Sequence, residues 1–384
     1  VIEKSYRAVL AELEGLHRLR KTRMFDPSRP GVLNVSSNDY LGLSRNPQCI
    51  ARACEFAQAW GAGSASSRLI CGTLPIHEAL EAKLSRLKES EAALIMGSGF
   101  QTNASVLATL LDRQALNAEP LVFADKLNHA SMHEGCRLAG VRQIRFKHLD
   151  LNHLESLLTK HAGTPGPRFI LSESVFSMDG DRTDVRALAW MADRFGAFLY
   201  LDEAHAVGVL GPGGLGLASG VDIAQGLVMG TFSKALGSYG AYVCCSSTVR
   251  EYLVNRAPGF IFSTALPPAA LGAADAALDL ILSMDKEREH LLSSAARFRN
   301  ALHAEGLDTG QSDTQIVPVM AGEESRALQA MSALQDEGIL AVAVRPPTVP
   351  PGGSRLRISL TARHTTEDVD RLAEAVIRIM RQIS

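Results

Sequence analysis

The sequence predicts an α/β protein: a mostly parallel central sheet flanked by helices, with a smaller α+β lobe towards the C-terminal end. Three observations carry this expectation. Short apolar runs at 92–96, 121–124, 143–146, 169–172, 198–201, 227–230 and 241–245 have the length of buried strands. Stretches of helical periodicity separate many of them, 150–160 and 185–195 among others, and strands that alternate with helices pair in parallel with both faces covered. The 384 residues are 46% hydrophobic and 21% charged, enough apolar material for more than one core.

Residues 1–25 carry an amphipathic helical pattern (Ile2, Tyr6, Val9, Leu10, Leu13, Leu16) mixed with charges, unlike a signal peptide. The chain opens on Val1, so a few preceding residues are expected. Pro27, Pro30 and Gly31 break the pattern, and a short strand-like piece leads to Ser36-Ser37-Asn38-Asp39-Tyr40. A helix over 77–87 runs into the strand at 92–96. After the strand at 241–245, residues 268–304 read as largely helical and rich in Ala and Leu, with charges after Met284. The stretch 311–384 reads as the α+β lobe, ending in a helix over 367–383. The expected division is a helical arm over 1–45, a large domain over 46–282 and a small domain over 283–384.

Several function classes fall away on composition. The formal net charge is −2, no run of like charges marks a tail and the basic stretch from His17 to Arg23 is short, so no large basic field is available to attract nucleic acid. No apolar stretch reaches the roughly 18 residues that span a bilayer. The six cysteines (Cys49, Cys54, Cys71, Cys136, Cys244, Cys245) show no CxxC spacing and read as reduced thiols of a cytosolic protein. Strand alternation points the adjacent Cys244 and Cys245 to opposite faces.

In a parallel α/β sheet, ligands bind beyond the C-terminal ends of the strands, and polar residues gather at those ends here. The strand at 198–201 runs into Asp202, with His205 three residues on. The strand at 227–230 runs into Thr231-Phe232-Ser233-Lys234, and that at 169–172 into Glu173 and on to Ser177. The strand at 92–96 leads to Gly97-Ser98-Gly99-Phe100, and that at 121–124 to Asp125 and His129. Each has a plain structural reading, such as a helix cap for Asp202 or a solvated side chain for Lys234. His129 and His133 lie one helical turn apart, but no third ligand is evident and Glu134 is misplaced for HExxH, so no metal is expected. Gly211-Pro212-Gly213-Gly214-Leu215-Gly216 matches GxGxxG in form, yet it does not follow a clear strand and reads as a glycine-rich surface loop.

Taken together, these residues supply the parts that pyridoxal 5'-phosphate (PLP) chemistry needs. A lysine forms the Schiff base, and a carboxylate keeps the pyridine nitrogen protonated. Hydroxyl groups and free N–H groups at a helix N-terminus hold the phosphate. Lys234 and Asp202 suit the first two tasks. Ser98, Gly99, Phe100 and Thr231 suit the phosphate, and His129 suits a ring face.

The segments that carry these residues resemble the α-oxoamine synthases, a family of fold-type-I PLP-dependent transferases. They are Asn38-Asp39-Tyr40-Leu41-Gly42, His77-Glu78-Ala79-Leu80-Glu81, Asn128-His129-Ala130-Ser131, Phe176-Ser177-Met178-Asp179-Gly180, Asp202-Glu203-Ala204-His205-Ala206-Val207-Gly208, Thr231-Phe232-Ser233-Lys234-Ala235-Leu236-Gly237 and Phe262-Ser263-Thr264. They occur in the family's order over 36–364, nearly the whole chain.

The resemblance implies roles. Lys234 should carry the Schiff base and move the substrate α-proton, and Asp202 should pair with the ring nitrogen. His205, with Ser177 nearby, should face the phenolic oxygen, and His129 should stack on the ring and help polarise the acyl carbonyl. Thr231 and the backbone of Gly99 and Phe100 should hold the phosphate, with Thr264 reaching the phosphate of a partner subunit in a homodimer with shared sites. Arg357 should grip the amino-acid carboxylate, close to Asn38. Arg20, Lys21, Arg23 and Arg345 are candidates for a far carboxylate or the CoA phosphates. Val344-Arg345-Pro346-Pro347-Thr348-Val349-Pro350, with Gly352 and Arg355-Leu356-Arg357, resembles the branch that joins L-alanine to pimeloyl-CoA in biotin synthesis. Gly63-Ser64-Ala65-Ser66-Ser67-Arg68 and the residues to Thr73 lean instead towards the glycine acetyltransferase branch. A synthase with other substrates, an aminotransferase of similar fold and an inactive partner subunit remain alternatives at this point.

Overall fold

The computed structural model describes residues 2–22, 24, 26 and 31–383; Arg23, Pro27 and Pro30 lie outside the described residues. Among the described residues twelve strands form: β1 (Leu33–Asn34), β2 (Ala92–Met96), β3 (Leu121–Asp125), β4 (Gln143–Phe146), β5 (Arg168–Glu173), β6 (Ala197–Asp202), β7 (Gly226–Thr231), β8 (Ala241–Cys245), β9 (Ile316–Gly322), β10 (Ile339–Leu340), β11 (Val342–Val344) and β12 (Ser354–Ser359). The chain divides into two compact units. One comprises Asn38–Ser177 and Arg182–Arg288, the other Val1–Ser37, Met178–Asp181 and Glu289–Ser384.

The larger unit is built on a seven-stranded sheet in the order β2-β8-β7-β6-β5-β3-β4. Strands β3 to β7 pair in parallel, while β8 runs antiparallel to both β7 and β2. Every strand expected from the sequence is present, extended by at most one residue at either end. The runs are continuously apolar because both faces are covered. Tyr200, Phe169, Leu171, Val122 and Ala124 face a core shared with Val106, Leu107, Met132 and Leu253, from the helices Gly99–Leu110, Ala130–Leu138 and Ser247–Arg256. Their neighbours in sequence, Leu199, Leu201, Ile170 and Phe123, face a second core with Leu154, Leu158, Leu188 and Met191, from the helices Leu151–Lys160 and Val185–Arg194. Side chains alternate across a strand, so each second residue joins the other layer. Each fully buried Leu or Phe contributes about 1.5–3 kcal/mol. Cys244 and Cys245 are both buried, since neither face of β8 meets solvent.

In the smaller unit β11, β12 and β9 form an antiparallel sheet in that order, and β1 pairs in parallel with β10. The helices Glu324–Asp336 and Thr366–Gln382 belong to this unit, the second opened by a capping box between Thr365 and Asp368. One helical expectation is corrected. The N-terminal helix spans Ile2–Gly15 rather than reaching residue 25: Gly15 ends it and His17 turns to a φ of 56°. The largely helical stretch expected over 268–304 is present as two helices, Pro268–Ile281 and Asp285–Ala304. No helix among the described residues is long and apolar enough to cross a membrane.

Candidate active site

The strand directions gather the candidate residues of the larger unit at one edge of its sheet. Glu173 ends β5 directly opposite Asp202, which ends β6. Ala241 of β8 pairs with Thr231 of β7 on one side and Met96 of β2 on the other. β2 therefore points the same way as β7, and the turn after Met96 opens beside the turn after Thr231.

Asp202 is buried, and both its oxygens accept from amides: Oδ2 from Asn103 Nδ2 at 2.7 Å, Oδ1 from the Ala204 N–H at 2.8 Å. Asn103 is locked in turn. Its Oδ1 accepts from the Tyr200 hydroxyl at 2.8 Å and its Nδ2 also reaches Ser131 Oγ at 2.9 Å. Ser131 Oγ lies 2.6 Å from His129 Nδ1. A hydrogen-bonded chain thus runs Asp202–Asn103–Ser131–His129. His129 caps the helix Ala130–Leu138, and burial lowers its imidazole pKa; Lys234 acts in the same direction and Asp202 against it. The ring is therefore neutral near pH 7. Lys234 sits in the turn after β7, half-buried, with its carbonyl accepting from the Gly237 N–H at 2.9 Å.

The helix Gly99–Leu110 begins immediately after β2. Ser98 caps it by accepting from the Gln101 N–H at 3.3 Å, and the Ser98 carbonyl accepts from the Thr102 N–H at 2.8 Å. The N–H groups of Gly99 and Phe100 precede those bonds and form the positive end of the helix, which suits an anion. Thr231 Oγ1 donates to the Gly240 carbonyl at 2.8 Å and lies 2.7 Å from Ser233 Oγ. Gln101 Nε2 reaches Ser263 Oγ at 2.5 Å, next to Thr264, which is exposed and bridges to Ser67. His205 Nδ1 lies 2.7 Å from the Tyr40 hydroxyl, which reaches Asn38 Oδ1 at 3.1 Å. Ser177 is buried at the end of the same unit.

The other candidates lie in the smaller unit. Arg357 is buried on β12, its Nη1 donating to Ser359 Oγ at 2.8 Å. Arg20 Nη2 donates to Thr348 Oγ1 at 3.0 Å, and Arg345 donates to the His17 carbonyl. With Arg18, Val344 and Pro346 they line a cavity of about 150 Å³. The GxGxxG look-alike is half-buried rather than a free surface loop. It wraps a buried ion pair, Lys88 Nζ to Glu203 Oε2 at 3.0 Å, with Lys88 also donating to the Leu215 carbonyl. A Cβ on Gly216 would stand 2.2 Å from Glu203 Oε2, so the glycine there accommodates a carboxylate rather than a phosphate.

Sequence reasoning passed over three side chains that hold this edge together, Tyr40, Asn103 and Ser131, and named Glu173 at its strand end without giving it a role. Tyr40 and Ser131 lay inside segments already singled out. Asn103 stood only as a polar residue one turn into the helix after Ser98, and nothing local marks it. The residues present fit PLP: a buried acid held by neutral amides can still accept from a pyridinium N–H, and a helix N-terminus with a neighbouring threonine can hold a dianion.

Comparison with known proteins agrees. The family model for aminotransferase class I and II matches residues 30–376. An 8-amino-7-oxononanoate synthase of Gluconacetobacter diazotrophicus is 52% identical, over 97% of this chain and 96% of that one. A Paramagnetospirillum magneticum protein provisionally given the same name is 54% identical, over 98% and 97%. Among solved structures, serine palmitoyltransferase from S. paucimobilis with bound PLP–myriocin aldimine has a TM-score of 0.90 at 26% identity, covering 99% of this chain and 97% of that one. The crystal structure of 8-amino-7-oxononanoate synthase from Francisella tularensis has a TM-score of 0.78 at 25% identity, covering 92% and 99%. A full-length match of this kind, on a sheet edge furnished for PLP, leaves one conclusion: the chain belongs to the class I and II aminotransferase family of PLP enzymes, on its 8-amino-7-oxononanoate synthase branch.

Proposed function

We propose that the chain condenses L-alanine with pimeloyl-CoA and a proton, giving 8-amino-7-oxononanoate, CoA and carbon dioxide. The observation that carries this reading is the buried Asp202 beside the Lys234 turn, on a chain more than half identical over nearly its full length to a relative provisionally named for that product. Bound PLP supplies an electron sink, a protonated ring that takes up the electron pair left when a bond to the amino-acid Cα breaks. Lys234 Nζ would hold the cofactor through its aldehyde and, once released from it, would move the Cα proton. Asp202 would accept from the ring nitrogen and keep its proton in place. The Gly99 and Phe100 N–H groups, with Ser98 and Thr231, take the phosphate.

His129, neutral and fixed by Ser131, would stack on the ring and donate to the acyl carbonyl, and His205 and Ser177 would serve the phenolic oxygen. Arg357 takes the amino-acid carboxylate, assisted by Asn38, since a guanidinium fork matches a planar anion. The arginine-lined cavity at Arg20 and Arg345 is assigned to the far carboxylate of the acyl chain. The active species is a homodimer in which Thr264 serves the partner's phosphate; sedimentation of the PLP-loaded protein as a monomer contradicts this.

Lys234→Ala tests the assignment. It should lose turnover by a factor of about 10³ or more, as expected when a group that forms and breaks bonds is removed. Release of CoA thiol at the parental rate would overturn it.

A further inference from the structure

Glu173 is a buried carboxyl group to which the proposed function gives no task. It is 2% exposed, ends β5, and stands directly opposite Asp202 on β6. Its Oε1 accepts from the His129 N–H at 2.6 Å. His129 is the N-cap of its helix, and an N-cap N–H has no partner within the helix itself. The imidazole is held separately, by the Ser131 hydroxyl at 2.6 Å and the Ser131 N–H at 3.3 Å. Main chain and ring of His129 thus have independent anchors, and Glu173 is the anchor of the main chain.

We infer that Glu173 is a positioning residue, holding the His129 main chain, and through it the imidazole, at the cofactor site as an uncharged hydrogen-bond acceptor. The inference rests on the reading of His129 given above.

The surroundings explain why the acceptor is uncharged. Glu173 is faced by Asp202 from β6, Asp125 from β3, Lys234 from the turn after β7 and the His129 N–H from its helix. Burial, reinforced by the charge of Asp202, holds its carboxyl well above the usual carboxylate range; Lys234 and the His129 N–H act the other way. Two carboxyl groups on adjacent strand ends share few donors. Asp202 has two amide donors and Glu173 one. The protonated form of Glu173 is favoured accordingly, and its carbonyl oxygen accepts from His129 in that form as well.

The test compares Glu173→Gln with Glu173→Ala in PLP-loaded protein. Readouts are PLP affinity, visible circular dichroism of the cofactor, and the pH dependence of kcat against KM. Glutamine keeps an uncharged acceptor of the same length. E173Q should match the parent in affinity, dichroism and pH profile. E173A should bind PLP about tenfold more weakly, the size of one lost buried hydrogen bond. Its altered dichroism should match that of His129→Ala, with little further loss in the double variant. If E173Q is as damaged as E173A, the charge matters and the inference is wrong; it is equally wrong if E173A matches the parent. Should E173A not fold, the E173Q comparison still decides. PLP binding does not depend on which amino acid or acyl donor is used, so a failed substrate assignment leaves this result standing. A parent chain that takes up no PLP would remove the assignment and the inference together.

Discussion

Asp202 meets the edge of the sheet with both oxygens already engaged by amides, from Asn103 and from Ala204. Neither donor carries a charge, so the acid's own charge is left to act on a ring nitrogen. Replacing it by asparagine keeps the volume and removes the charge. Asp202→Asn should still bind PLP but lose turnover by about 10²–10³-fold, the usual cost of one preorganised electrostatic partner. Steady-state release of CoA thiol measures this, and parental turnover would exclude a role for the charge. Asp202, Lys234 and His129 were legible as candidates because each follows an apolar run, and strand ends are where α/β sheets bind ligands. Glu173 was named at its strand end without a role, and Asn103 and Tyr40 were not singled out, because their partners lie 44, 99 and 165 positions away in sequence. Only strand order and register bring those positions together.

In the first turn of the helix Pro75–Leu87 a histidine reaches back to the N-cap residue, and it titrates. His77 is fully buried and its Nδ1 accepts from the Leu74 N–H at 3.1 Å. Burial, helped by Arg68, pushes its pKa down to about 4 from 6.5, with Glu81 opposing. The folded value lies below the unfolded one, so the unfolded chain takes up the proton first as pH falls. The stability held by the neutral ring is complete above about pH 6.5 and is lost as pH falls towards about 4. His77→Gln should therefore lose less stability than the parent between about pH 7 and pH 5, by on the order of 1–2 kcal/mol. Thermal melts at the two pH values measure this; parallel losses would contradict it.

At the same scale, strand positions were legible and strand order was not. Apolar runs bounded by polar residues report that a strand exists, but nothing in the run at 241–245 says that β8 enters between β7 and β2 in reverse. The N-terminal helix was legible up to Gly15. Beyond it the apolar spacing continues while the backbone does not, since His17 takes a positive φ that periodicity does not report.

Across the whole chain, the larger unit holds every residue proposed to touch the cofactor, whereas Arg20, Arg345 and Arg357, proposed for substrate, belong to the smaller one. Asn38, also proposed for substrate, belongs to the larger unit, and the central claim is that these residues serve one reaction. The most direct measurement is an absorbance titration of the PLP-loaded protein with L-alanine, glycine and L-serine, followed by pimeloyl-CoA and acetyl-CoA. The account predicts that L-alanine shifts the cofactor's visible band, and that pimeloyl-CoA then releases CoA thiol and carbon dioxide in equal amounts. Turnover with glycine and acetyl-CoA instead would contradict the substrate assignment, and a protein with no cofactor band would contradict the account as a whole.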